Sequence, residues 1–196
     1  MSAQEEHPAT TDVAGSLEIA GRFEQRGQFA EALAVAEIAL GREPAHLKAL
    51  SLAGRCLLAL RRPADAVAPL QKAAAAAPKD AKAHCQLGEA LEAAERLSDA
   101  RAAFAKATIL SPELAWGWFG FGSVAFKQGE YGEGERAVTE GLTLRPAYPE
   151  MLMLRGFCRL GLGHDDAARA DLREAKRLKP ELTSRIHQTL NGRLML

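Results

Sequence analysis

The sequence predicts an all-α fold, a right-handed α-solenoid of antiparallel helix pairs, and three observations predict it. Prolines fall at Pro44, Pro78, Pro112, Pro146 and Pro180, each thirty-four residues after the last. Gly54, Gly88, Gly122 and Gly156 keep the same interval. Within each period a small residue recurs twelve residues before the proline (Ala32, Ala66, Ala100, Gly134, Ala168) and again five before it (Ala39, Ala73, Ala107, Gly141, Ala175). Small residues at a fixed place let two helices cross closely, and the proline ends the second helix because it lacks an N–H and crowds the preceding turn. One hairpin cannot cover its own apolar face; stacked copies bury it continuously.

The elements follow in order. Residues 1–12, "MSAQEEHPATTD", are polar and acidic without an apolar core, so they read as a flexible tail, neither secretory signal nor membrane anchor. Residues 13–46 form the first helix pair, broken at Gly27. Residues 47–80 form the second, with Pro63 suited to a first helical turn and Pro69 inside the helix, where it is expected to kink or loosen the chain at a cost of roughly 3 kcal/mol. In 81–114, His84, Leu87, Gly88 and Leu91 share one face, Ser98 or Asp99 is expected to cap the second helix, and Ala100, Phe104 and Ala107 share its inner face. Residues 115–148 break at Gly129 and exchange both recurrent alanines for glycine; 149–182 break at Gly163. In 183–196, Ile186, Leu190 and Leu194 recur every four residues, Thr183 is placed to cap and Gly192 to fray the end, which reads as a single helix closing the stack.

Composition excludes several functions. Twenty-five basic and twenty-five acidic residues balance, leaving no field to draw nucleic acid or an anionic membrane. Arg169, Arg173, Lys176 and Arg177 cluster, but Asp171 and Glu174 interrupt them, so they read as a solvated face. Cys56, Cys85 and Cys158 are odd in number and far apart, unlike a zinc or disulfide framework, and read as packed, reduced thiols. A cytoplasmic address is expected. His164, Asp165 and Asp166 adjoin in "GHDDA", at the fifth hairpin turn, where an aspartate is most simply a helix cap. No phosphate loop, nucleophile elbow or metal-ligand spacing occurs, so neither catalysis nor a cofactor is expected.

The period, with Trp118, Phe121, Gly122, Gly129, Tyr131 and Pro146 in the fourth unit and Leu87, Gly88, Ala100, Phe104, Ala107 and Pro112 in the third, resembles the tetratricopeptide repeat. Five units span 13–182; Ala20 replaces the glycine of the first, and Arg155 and Arg159 replace apolar residues of the fifth. The resemblance implies a concave groove lined by the first helix of each pair. Its groove-side positions would be Leu17, Gly21 and Glu24; Lys48, Ser51, Arg55 and Leu58; Lys82, Cys85, Glu89 and Glu92; Trp116, Phe119, Ser123 and Phe126; and Glu150, Met153, Phe157 and Leu160. No register of these residues reproduces the lysine, asparagine and arginine set with which some members clamp a peptide's C-terminal carboxylate.

The stretch "ELAWGWFGFGSVAF" holds both tryptophans and three of the seven phenylalanines. Trp118, Phe121, Gly122 and Ala125 match the packing residues of the repeat and are expected in the core. Trp116, Phe119 and Phe126 lie about a third of a turn away, where they face a partner, pack on neighbouring units or the C-terminal helix, or join two copies. Three exposed aromatics would make an apolar patch large enough to mark a contact site. The expected function is a noncatalytic adaptor binding another protein's apolar peptide or amphipathic helix. Trp116, Phe119, Phe126, Met153 and Phe157 would anchor it, with Ser123 beside them, while Lys48, Arg55, Lys82, Glu89 and Glu92 would set direction. The alternatives are a secretion-type chaperone of the same repeat class and a self-associating scaffold.

Overall fold

The computed structural model describes residues 12–193; of the expected N-terminal tail only Asp12 falls within them, where it caps α1 by accepting the Gly15 N–H at 2.7 Å, and Leu194 lies outside. Among the described residues there are eleven helices and no strand: α1 Val13–Gln25, α2 Phe29–Arg42, α3 Leu47–Ala59, α4 Pro63–Ala76, α5 Ala81–Ala93, α6 Leu97–Leu110, α7 Ala115–Lys127, α8 Tyr131–Leu144, α9 Pro149–Gly161, α10 Asp165–Leu178 and α11 Leu182–Arg193. The chain divides into two compact units, Met1–Arg96 and Leu97–Leu196, the third period giving α5 to one and α6 to the other. In the N-terminal unit each helix packs on the next, and the first helices also meet, α1 on α3 and α3 on α5. The C-terminal unit repeats the arrangement, with α7 touching α9 and α11 lying on α10.

One local device, repeated at the period, turns every first helix into its partner. Gly27, Gly129 and Gly163 take left-handed backbone at φ 73°, 80° and 77°, and Arg61 and Glu95 occupy the equivalent places at 59° and 58°. The next residue then donates its N–H to a carbonyl five back, at 2.8–2.9 Å in Gln28 to Phe23, Arg62 to Leu57, Arg96 to Leu91, Glu130 to Ala125 and His164 to Arg159. These bonds satisfy carbonyls that a helix end otherwise leaves unpaired. A second recurring tie pins the loop before the helix. His84 holds the Pro78 carbonyl through Nε2 at 3.1 Å, and Trp118, one period on, donates Nε1–H to the Pro112 carbonyl at 2.7 Å.

Small residues mark where helices approach. A Cβ on Gly54 would lie 2.3 Å from the buried Leu70, and one on Gly122 would lie 2.5 Å from Val138. The fourth period's change from alanine to glycine also has a reason. A methyl on Gly134 would meet Cys158 Sγ at 2.8 Å and one on Gly141 would meet Met151 Sδ at 3.0 Å, so α8 gives room to the two sulfur side chains of α9.

Several expectations need correction. α4 continues through Pro69, so the proline does not end the helix. α6 begins at Leu97 and α11 at Leu182, so Ser98, Asp99 and Thr183 lie inside their helices instead of capping them, and α11 continues through Gly192. Asp99 and, in α10, Asp165 and Asp166 fall in first turns, where a carboxylate faces the positive end of the helix dipole. Trp118 and Phe121 are half-buried rather than core. Phe121 carries the Arg101 guanidinium 5.7 Å above its ring, and Arg101 also pairs with Glu133. α11 sends Leu182 and Ile186 into the core of the C-terminal unit, with Leu190 packed against it.

Arg155 and Arg159, out of place for the repeat, are answered by Asp171 of α10. Arg155 holds this buried carboxylate through two bonds of 2.7 and 2.8 Å, while Arg159 bonds it at 2.8 Å and Glu135 of α8 at 2.7 Å.

Candidate functional site

The face of the N-terminal unit formed by α1, α3 and α5 contains an open cavity of about 460 Å³. Leu17, Gly21 and Glu24 enter it from α1, Lys48, Ser51 and Arg55 from α3, and Lys82 from α5. All seven occupy groove-side positions that the resemblance implied; residues three and four apart share one helical face, and the first helices pack on one another. Leu47, Leu52 and Ala83 complete an apolar floor. A neighbouring hollow of about 590 Å³ shares Leu17, Leu47 and Lys48 and extends over Glu18 and His46.

Charges ring this floor unequally. Arg55 grips Glu24 as a fork, Nε to Oε1 at 2.8 Å and Nη2 to Oε2 at 2.9 Å. That hydrogen bond raises the Arg55 pKa, against the opposing effect of burial. Asp80 accepts the Lys82 backbone N–H at 2.9 Å and caps α5. Glu24 and Asp80 are therefore engaged within the protein. Among the described residues, neither Lys48 nor Lys82 has an ion-pair partner, and both are exposed.

Cys85, expected at the groove, is buried, and burial first, then Glu89 and Asp80, push its thiol up to about 12. Gln86 takes its place in the cavity lining. Gln86 was missed by the sequence reading, although its spacing of four from Lys82 is the signal that finds it. Glu89 and Glu92 are half-buried and do not line the cavity.

The aromatic half differs from expectation. Met153 and Phe157 are 4% and 5% exposed and belong to the core of the C-terminal unit, so neither is presented to a groove. Phe119 and Phe126 are half-buried against that core. Phe119 lies between Trp116, at 5.0 Å between ring centroids, and Tyr148, at 6.3 Å; Phe126 lies 5.7 Å from Tyr131 and 6.1 Å from Phe157. Ser123 is half-buried. Only Trp116 of the proposed aromatic anchors remains substantially exposed, at 39%. The reason is geometric: α7 and α9 touch, so side chains a third of a turn from the packing stripe enter the seam between successive first helices.

The remaining candidates stay quiet. His164 Nδ1 is 3.8 Å from Glu135, and the described residues contain no group of three or more histidine, cysteine, aspartate or glutamate side chains able to hold a metal. In the basic cluster Arg169 pairs with Asp166 and Arg177 with Glu174. No helix among the described residues is long and apolar enough to cross a membrane.

The family model for the tetratricopeptide repeat matches residues 17–81, 57–115 and 119–182. The chain belongs to the tetratricopeptide repeat family. Solved tetratricopeptide structures share its fold. The MamA protein of Desulfovibrio magneticus RS-1, residues 41 to the end, superposes with a TM-score of 0.76 at 18% identity, covering 87% of this chain and 97% of its own. The thermophilic repeat protein TTC0263 of Thermus thermophilus gives 0.71 at 22%, covering 94% and 100%. YrrB, described as a repeat protein with an unusual peptide-binding site, gives 0.72 at 18%, covering 91% and 92%. At these identities the likeness is one of fold. No curated protein matches the sequence.

Proposed function

We propose that the chain is a noncatalytic protein-interaction scaffold that holds a peptide segment of a partner on the face of α1, α3 and α5. The observation that carries this reading is the 460 Å³ cavity, in which three successive first helices combine an apolar floor with a polar rim. Such a hollow offers both the burial that gives affinity and the few placed polar groups that give orientation. Family membership supports it, since stacked repeats create an extended concave surface suited to binding. The peptide-binding site described for YrrB, a relative in fold, is consistent with the reading.

A photo-crosslinking residue at Ser51, inside the cavity, tests the proposal against the same group at Glu37, an exposed position of α2. A defined adduct from Ser51 and none from Glu37 is expected in native lysate; equal labelling from both removes the support. Trp116 favours a second contact, by an apolar side chain of the partner or by another copy of the chain. Light scattering on wild type and Trp116→Ala separates these, because only self-association predicts a fall in mass.

A further inference from the structure

We infer that the segment held by the α1, α3 and α5 cavity is acidic, with two side-chain carboxylates met by Lys48 and Lys82; this rests on the scaffold reading above and names its ligand. The two lysines occupy the same place in successive repeats, where the other units have Ala14, Trp116 and Glu150. The repeat does not require a lysine there for packing, and both ammonium groups stand exposed over the cavity. Of the other charges in the lining, Arg55 and Glu24 neutralise each other at 2.8 and 2.9 Å, and the Asp80 carboxylate caps a helix with one oxygen. Two cations against that one carboxylate leave the apolar floor with a net positive charge.

A guanidinium fork suits bidentate recognition of carboxylate or phosphate, but the one fork here is occupied by Glu24, leaving two ammonium point charges that any anionic side chain can meet; in an unmodified peptide those anions are the carboxylates of aspartate and glutamate. Leu17, Leu47 and Leu52 supply apolar contact between them, which a peptide backbone with alternating side chains can use. Packed helices lie about 8 to 10 Å apart, an extended chain advances about 3.3 Å per residue and alternate side chains share a face, so the two carboxylates should stand two or four residues apart. The ligand is an internal segment: neither a free C-terminus nor a modified residue is needed.

The test is selection of random peptides displayed with both ends blocked, on the full chain. Wild type should enrich sequences with two acidic residues spaced two or four apart, and Lys48→Glu with Lys82→Glu should enrich basic sequences instead. For one selected peptide, Lys48→Gln with Lys82→Gln should weaken binding about tenfold, as two partly exposed charge pairs allow, and added salt should narrow the difference. Both lysines are exposed, so circular dichroism of these variants should match wild type. Neutral or apolar sequences enriched by wild type, and blocked by a Ser51→Trp plug, overturn the acidic ligand while leaving the scaffold reading in place. Enrichment indifferent to the plug, or none, sinks both.

Discussion

Asp171 is the polar side chain whose loss the C-terminal unit should feel most. Its repeat position holds Val35, Pro69, Ala103 and Ala137 in the other units, so a carboxylate there is anomalous. It is 5% exposed and accepts three bonds of 2.7–2.8 Å, two from Arg155 and one from Arg159. Asp171→Ala removes all three and strands Arg155, whereas Arg159 keeps Glu135 at 2.7 Å. Breaking a buried pair by deleting one partner costs about 3–5 kcal/mol. The guanidinium side chains retain 18% and 21% exposure, so water relieves part of the loss, and the lower end, about 3 kcal/mol, is expected. Replacing the pair by apolar residues, Arg155→Met with Asp171→Leu, should recover most of it, because desolvating the ions offset much of their attraction. Urea unfolding followed by circular dichroism, with the slope checked for each variant, measures both effects. A loss under about 1 kcal/mol for Asp171→Ala, or a double substitution as unstable as the sum of the single ones, would refute the reasoning.

Three further outcomes are expected. Arg61 bears a left-handed φ of 59° at the place where other units have glycine, so Arg61→Gly should stabilise by up to about 1 kcal/mol, the relief of strain exceeding the added freedom of the unfolded chain; thermal melts check the sign. Burial, reinforced by Glu24 and only partly offset by Arg55, pushes Cys56 up to about 11, and burial pushes Cys85 up to about 12. With so little thiolate at mild alkaline pH, both should react with a disulfide reagent about a hundredfold or more slower in the folded chain than in urea; equal rates contradict the burial. Ile186 of α11 is 0% exposed, so Ile186→Asp, or deletion of 183–196, should expose the C-terminal core and promote aggregation, visible as a shift in light scattering.

The sequence alone determined the period, and with it the helix pairs, the turns at Gly27, Gly129 and Gly163, and the set of side chains on each first helix that face away from its partner. This worked because a solenoid's contacts are local: each unit meets only its neighbours, so residues thirty-four apart share an environment. The same logic named seven residues of the cavity before any distance was known. Tertiary structure alone decided what depends on how far neighbouring helices approach. Met153 and Phe157 went into the core, and Phe119 and Phe126 into its margin, because α7 and α9 touch and long side chains fill the seam between them. Lys48 and Lys82 emerged as unpaired while Arg55 did not, because ion pairing turns on a few ångströms between side chains thirty-one residues apart, as in Arg55 and Glu24. A repeating pattern specifies direction; only packed atoms specify reach.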